Sequence, residues 1–247
     1  YAFDQDPDAI KNHPGNANLT LIQQNFRYMM QFLRFYNAIP VNGILADLGI
    51  SSHQIDVPER GFSTRFDANL DMRMSKKGGR SAADIINHEP IEELTKIFRN
   101  YGELKNAFAL AKRIVNAREQ QPILTTENLN DIAAPLAGHK SPSKFLAQVY
   151  QALRIEVNDE LGALKDMLYQ AEKVLDTDGA LVIISYHSLE DRLVKNFLKT
   201  GNIDGKLEKD FYGNPLTPFA IPKGKPIVPD EDEMNTNPRS RSAKLRI

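Results

Sequence analysis

Gly43-Ile-Leu-Ala-Asp-Leu-Gly-Ile-Ser-Ser52 decides how the rest of the chain is read. The apolar run from Gly43 to Leu48 is too short for a typical helix. It carries apolar residues at consecutive positions, which predicts a strand buried on both sides. An acid, a glycine and two serines follow it immediately. Toward the start, Tyr28 to Tyr36 places Met29, Leu33 and Tyr36 on one helical face. Leu19 to Gln23 reads as a strand, Asp8 to Asn12 as a helix start, and Tyr1 to Phe3 as the end of another strand. Alternation of strand and helix is the sign of a parallel, doubly wound α/β sheet.

The same grammar returns near the other end. Val174-Leu-Asp-Thr-Asp-Gly179 reads as a helix end and tight turn, leading into the strand Ala180-Leu-Val-Ile-Ile-Ser185. Ser188 to Leu198 is expected to be helical, Gly201 to Asp232 loops or a hairpin, and Ser242 to Ile247 an edge strand. Between the two halves the pattern changes. Val57 to Met74 has no clear period and reads as a long loop. Helices dominate after it: Ser81 with Asp84 is a capping-box pattern, and Thr126 can cap a further helix. Leu104, Phe108, Ala111 and Val115 form an apolar stripe. Phe145 to Ile155 and Glu160 to Leu175 complete the set. The expected layout is one α/β domain, 1–56 and 156–247, interrupted by a mainly helical insertion, 57–155.

Composition narrows the function. The 247 residues carry 31 Lys+Arg against 32 Asp+Glu, a net charge of -1, with 41% hydrophobic residues, which is ordinary for a globular chain. No apolar run approaches a membrane span. With no cysteine, disulfides, iron–sulfur clusters and Cys nucleophiles are excluded within these residues, and a cytoplasmic setting is the default expectation. The five histidines fall at no metal-ligand spacing, so no metal is expected. The neutral total hides basic blocks. Thr64 to Arg80 has five basic residues against two acids, Arg99 to Arg118 five against one, and the last ten residues four against none. Such clustering points to a polyanionic partner.

Ligands of open parallel sheets bind beyond the carboxyl ends of the strands. Three strand ends carry polar groups here. Asp4 stands where nucleotide-binding sheets hold ribose hydroxyls, while Asp6 and Asp8 suit the cap of the next helix. Asp47 ends the decisive strand. Tyr186-His-Ser-Leu-Glu-Asp-Arg192 follows the last apolar strand, with His187 as a proton-accepting candidate and Ser188 to Asp191 as a possible capping box. No G-x-G-x-x-G and no P-loop is present. The chain opens on Tyr1 inside a strand pattern, so the first strand and the Gly-rich turn of such a sheet are expected to precede it.

Four strings, in order, carry a resemblance: Asp47-Leu-Gly-Ile-Ser-Ser-His-Gln54; Glu59-Arg-Gly-Phe-Ser63 with Leu70-Asp-Met-Arg-Met74; Ser185-Tyr-His-Ser-Leu-Glu-Asp-Arg192; and Asn237-Pro-Arg-Ser-Arg-Ser242. Together they resemble the RsmH (MraW) family over essentially the whole chain. The resemblance implies a class I (Rossmann-like) methyltransferase sheet with an inserted helical domain. It implies methyl transfer from S-adenosyl-L-methionine to the exocyclic N4 amine of a cytidine in 16S ribosomal RNA, with the small ribosomal subunit as the setting. It places cofactor contacts on Asp4 (ribose), Phe26 (adenine), Asp47 and Gln54. The family's Gly-Gly-His loop has no counterpart in these residues.

The chemistry agrees. Methylation of cytosine carbon 5 commonly uses a Cys nucleophile, which is absent. The amine needs only to be held about 3–3.5 Å from the methyl for direct in-line attack. Asp47 or His187 is the candidate to hold an amine proton. For the RNA, the candidates are Phe62 and Phe66 as stacking rings among Arg65, Arg73, Lys76 and Lys77, with Arg192 beside the third strand end. A nicotinamide-dependent oxidoreductase, which shares the ribose acid, and a non-catalytic RNA-binding protein are the competing readings. The oligomeric state stays open, with a homodimer among the options.

Overall fold

A computed structural model describes residues 1–138, 141–220 and 225–247. In chain order the elements are β1 (Ala2–Asp4), α1 (Pro7–Lys11), β2 (Leu21–Gln23), α2 (Met29–Phe35), β3 (Val41–Asp47), α3 (Ser52–Asp56), α4 (Ala82–His88), α5 (Ile91–Asn100), α6 (Ala107–Arg118), α7 (Thr126–Ala133), α8 (Pro142–Asn158), α9 (Glu160–Val174), β4 (Leu175–Ser185), α10 (Ser188–Thr200), α11 (Glu231–Thr236) and β5 (Lys244–Arg246). They divide into two compact units. An α/β unit comprises Tyr1–Asp4, Pro14–Gly49 and Leu161–Ile247; a helical unit comprises Gln5–His13 and Ile50–Glu160.

In the α/β unit the strands form two sheets where one was expected. β1 pairs β2 in parallel, Asp4 opposite Gln23. β3 pairs β4 in parallel, Asp47 opposite Ile184, and β5 closes the far side of β4 antiparallel. β3 is therefore an edge strand among the described residues, and it is not buried on both sides: Leu45 is 71% exposed. The expected turn before Ala180 is also revised. Leu175 already pairs with Val41, and the extra residues are absorbed as a register shift before Gly43, with Asp178 left-handed at φ 63°. The core of this unit gathers Met29 and Leu33 of α2, Leu164, Met167, Leu168 and Ala171 of α9, Leu181 and Ile183 of β4, and Phe197 of α10. β5 is tied down by charge, Lys244 and Arg246 meeting Asp191 of α10 at 3.1 and 2.8 Å. The stretch expected as loops or a hairpin contains an isolated bridge, Lys209 to Pro215, with 221–224 outside the described residues.

The helical unit is built by local signals. Asp6 caps α1, and Ser81 with Asp84 forms the capping box of α4. α7 is capped by Thr125, not Thr126; Thr126 is buried and donates its hydroxyl to the Phe66 carbonyl at 2.6 Å. α6 buries Ala107, Leu110, Ala111 and Ile114, a face rotated from the expected stripe, and leaves Phe108 56% exposed. Leu70, Met72 and Met74 enter the same core from the long loop. No helix among the described residues is long and apolar enough to cross a membrane.

Candidate active site

The candidate site lies at strand ends of the α/β unit. β3 ends on Asp47, which is exposed. The ladder runs one residue further, Leu48 N–H donating to the Ile184 carbonyl at 3.0 Å, and Gly49 then turns the chain at φ +93°. On the neighbouring strand the chain passes Ile184 and reaches Tyr186. Its phenol donates to Asp47 Oδ1 at 2.9 Å. Burial, then the accepting and negatively charged Asp47, pushes this phenol up to about 12, so it keeps its proton at neutral pH.

Phe26 is set by a separate chain of contacts. It opens a short 3-10 turn, Phe26–Tyr28, whose cap Asn25 accepts from Arg27 N–H at 3.0 Å. Arg27 reaches Asp166 of α9 at 2.7 Å, and Gln170 accepts from Met30 N–H at 2.8 Å. These bonds clamp the turn onto α9. A cavity of about 360 Å3 runs along the open edges of β1 and β3, lined by Val41 and by Gly43 through Leu48, with Phe26 and Asp47 among its lining residues. β1 contributes Tyr1, Ala2 and Phe3 to the wall. Asp4, half-buried, follows directly at the end of β1.

Other sequence candidates are placed differently. His187 is the N-cap of α10, so the capping box starts at His187 and not at Ser188. Its Nδ1 accepts from Glu190 N–H at 3.4 Å, while Nε2 lies 3.2 Å from Glu190 Oε1. Both ring nitrogens are thereby turned into the protein, and the ring serves the helix end rather than the cavity. Gln54 belongs to the helical unit, 5% exposed. Its Oε1 accepts from Ser51 N–H at 3.1 Å and its Nε2 donates to Asp6 at 2.7 Å, so both ends of the amide are engaged within that unit.

The Glu59-Arg-Gly-Phe-Ser63 string proves structural. Arg60, 4% exposed, donates to Asp6 at 2.8 Å and to the carbonyls of Arg73 and Met74 at 3.1 and 3.0 Å. Gly61 sits at φ 72°, where a Cβ would stand 2.3 Å from the Asn69 carbonyl oxygen. Phe62 is 7% exposed in the helical core, which removes it as a stacking ring. Phe66 is half-exposed beneath the Arg65 guanidinium, which lies 5.4 Å from its ring centre. The basic candidates are partly neutralised. Arg73 is held by Asp71 at 2.6 Å, Arg65 meets Asp56 at 3.1 Å and Lys76 approaches Asp8 at 3.4 Å. Lys77, and Arg192 on α10, are exposed. Tyr186 is the residue that sequence reading passed over, as one letter of a motif. The signal was its place just beyond a strand paired in parallel with the strand that ends on Asp47.

Comparison with known proteins supplies the family. The family described as the MraW methylase family matches residues 1–247. A protein of Phocaeicola vulgatus named "Ribosomal RNA small subunit methyltransferase H" is 54% identical over 247 residues, covering 100% of this chain and 81% of its own length. A protein of the same name from Bacteroides thetaiotaomicron is 55% identical over 245 residues, 99% of this chain and 81% of its own length. Another from Flavobacterium johnsoniae is 53% identical over 247 residues, 100% of this chain and 82% of its own. The α/β content and mixed sheets agree with a methyltransferase that uses S-adenosylmethionine. With its whole length matched, the chain belongs to the MraW methylase family.

Proposed function

We propose that this protein methylates the exocyclic N4 amine of a cytidine in 16S ribosomal RNA, with S-adenosylmethionine as the methyl donor. The observation that carries the reading is the family match over the whole chain, with Asp47 standing at the carboxyl end of β3. When bound, the cofactor supplies an electrophilic methyl group. Asp4 suits its ribose hydroxyls, the Phe26 ring its adenine, and Asp47 holds the reacting edge. The amine's lone pair is delocalised into the base, so a proton acceptor at Asp47 turns the nitrogen toward the methyl. Direct transfer needs no enzyme nucleophile, and these residues contain no cysteine.

The helical unit is the proposed insertion that recognises RNA, with Phe66, Arg65, Lys76 and Lys77 facing the nucleic acid and Arg192 contributing from α10. The assembled small subunit in the cytoplasm is the proposed setting. Hydride transfer by a nicotinamide enzyme is set aside by the family match.

The test is transfer from labelled cofactor to small ribosomal particles, followed by nucleoside analysis. N4-methylcytidine is expected. Label on cytosine carbon 5, or RNA bound tightly with no label transferred, overturns the reading.

A further inference from the structure

We propose that Tyr186 is a positioning residue of this reaction: its phenol holds one carboxylate oxygen of Asp47 and so leaves the other, Oδ2, to receive a proton of the cytidine amine. The proposal rests on Asp47 facing the amine, as argued above.

A carboxylate at a strand end can rotate about its last bond and offer either oxygen. Fixing one oxygen removes that freedom, which matters because proton acceptance is useful only along the direction that aims the lone pair. Tyr186 is built for the task. It lies two residues beyond Ile184, the parallel partner of Asp47, so its side chain starts one strand away and returns across the end of β3. Its backbone is held from behind, Tyr186 N–H donating to Glu190 Oε2 at 2.9 Å, and Glu190 is buried. Its ring lies beside Gly49, where a Cβ would sit 3.6 Å from Cδ2, so the turn after β3 braces the ring from the side. The hydroxyl of the ring so held donates onto Asp47 Oδ1 at 2.9 Å. The half-buried phenol stays protonated across the neutral range and remains a donor throughout.

In the transfer, the amine nitrogen gains the methyl carbon and the electron pair of the carbon–sulfur bond stays on sulfur. One N–H proton passes to Asp47 Oδ2 and from there to water. Tyr186 gives up no proton; it touches Asp47, not the reacting atoms.

The test is a double-mutant cycle on the full protein, measuring kcat and both KM values. Tyr186→Phe keeps the ring against Gly49 and removes only the hydroxyl. We expect kcat to fall about tenfold, the scale of one hydrogen bond to a charged group, with both KM values and the unfolding midpoint unchanged. Asp47→Asn should fall at least as far. The double variant should be no slower than Asp47→Asn alone, because the phenol has no carboxylate left to orient. Full kcat in Tyr186→Phe beside an impaired Asp47→Asn overturns the proposal. A double variant slowed by the product of the two factors also overturns it, as does a Tyr186→Phe defect confined to the cofactor KM. If Asp47→Asn itself keeps full kcat, the assignment of Asp47 falls and takes this inference with it.

Discussion

Two aspartates, Asp6 in the helical unit and Asp47 in the α/β unit, are treated in opposite ways. In the helical unit, Asp6 is 3% exposed and answered on every side: Gln54 at 2.7 Å, Arg60 at 2.8 Å and the Asp8 N–H at 3.0 Å. In the α/β unit, Asp47 is exposed and Asp4 half-buried, both at carboxyl ends of parallel strands. A fully answered buried charge holds a loop in place and has nothing left for a ligand. Asp47, an exposed charge at a strand end, contributes little to the core and accepts from the Tyr186 phenol. The difference teaches that motif strings alone do not locate a site. One of the four strings that mark the family, Glu59 to Ser63 with Leu70 to Met74, is structural in the helical unit. There Leu70, Met72 and Met74 alternate into the core while Asp71 and Arg73 pair between them.

The sharpest way to break this contrast is to remove one side of the buried network. Arg60→Ala leaves Asp6 charged and under-answered inside the helical unit, and should destabilise it by about 3–5 kcal/mol in urea unfolding. Arg60→Lys should rescue little, because a point charge cannot reach Asp6 and two carbonyls in one plane. A loss under about 1 kcal/mol would mean Asp6 is not a structural charge. Leu110→Ala, a plain core truncation at a fully buried position, should cost about 2–5 kcal/mol in the same unit.

A smaller effect is expected where charge is paired at a half-open edge. Asp191 of α10 binds Lys244 and Arg246 of β5, and the two cations are themselves 43% and 18% exposed. Burial works to raise the Asp191 carboxyl, but the two cations outweigh it and hold it below its ordinary 3.8. A depressed folded pKa stabilises above the unfolded value and loses that contribution as pH falls through the folded one. Asp191→Asn should therefore cost about 1–3 kcal/mol at neutral pH. The gap between variant and parent should close as pH drops below about 4, read by unfolding at several pH values. A constant gap down to strong acid would show that the pair is not what holds β5.

What the sequence made legible was whatever closes within one turn or one strand. The Ser81–Asp84 box, the Asp6 cap and the β5 edge strand all depend on neighbours a few residues away or on alternation alone. The strand ends that hold Asp4 and Asp47 were readable for the same reason. Long-range answers were not. Arg60 meets Asp6 across 54 positions, from a segment with no period to betray burial. Phe62 and Phe66 look alike in a basic stretch, yet one is core and one half-exposed. The Asp-Thr-Asp-Gly signal survives as a bulge with Asp178 left-handed, while pairing of Leu175 with Val41, which no local reading contains, extends the strand before it. His187 looked like a base beside a strand end, but the helix that follows needed a cap.

The smallest effect concerns the rotation of α6. A hydrophobicity count favours the stripe through Phe108, because phenylalanine outweighs alanine in any such sum. Packing favours a face turned part-way from it that keeps Ala111: Ala107 and Ala111 are fully buried, and small residues let a neighbouring helix approach closely enough to enclose Leu110 and Ile114. Phe108 then faces outward at 56% exposure, where most of its ring surface is never removed from water. Phe108→Ala should accordingly shift the unfolding free energy by less than about 0.5 kcal/mol, several-fold below Leu110→Ala two residues away. Equal costs at the two positions would place Phe108 in the core and turn α6 by the better part of half a revolution.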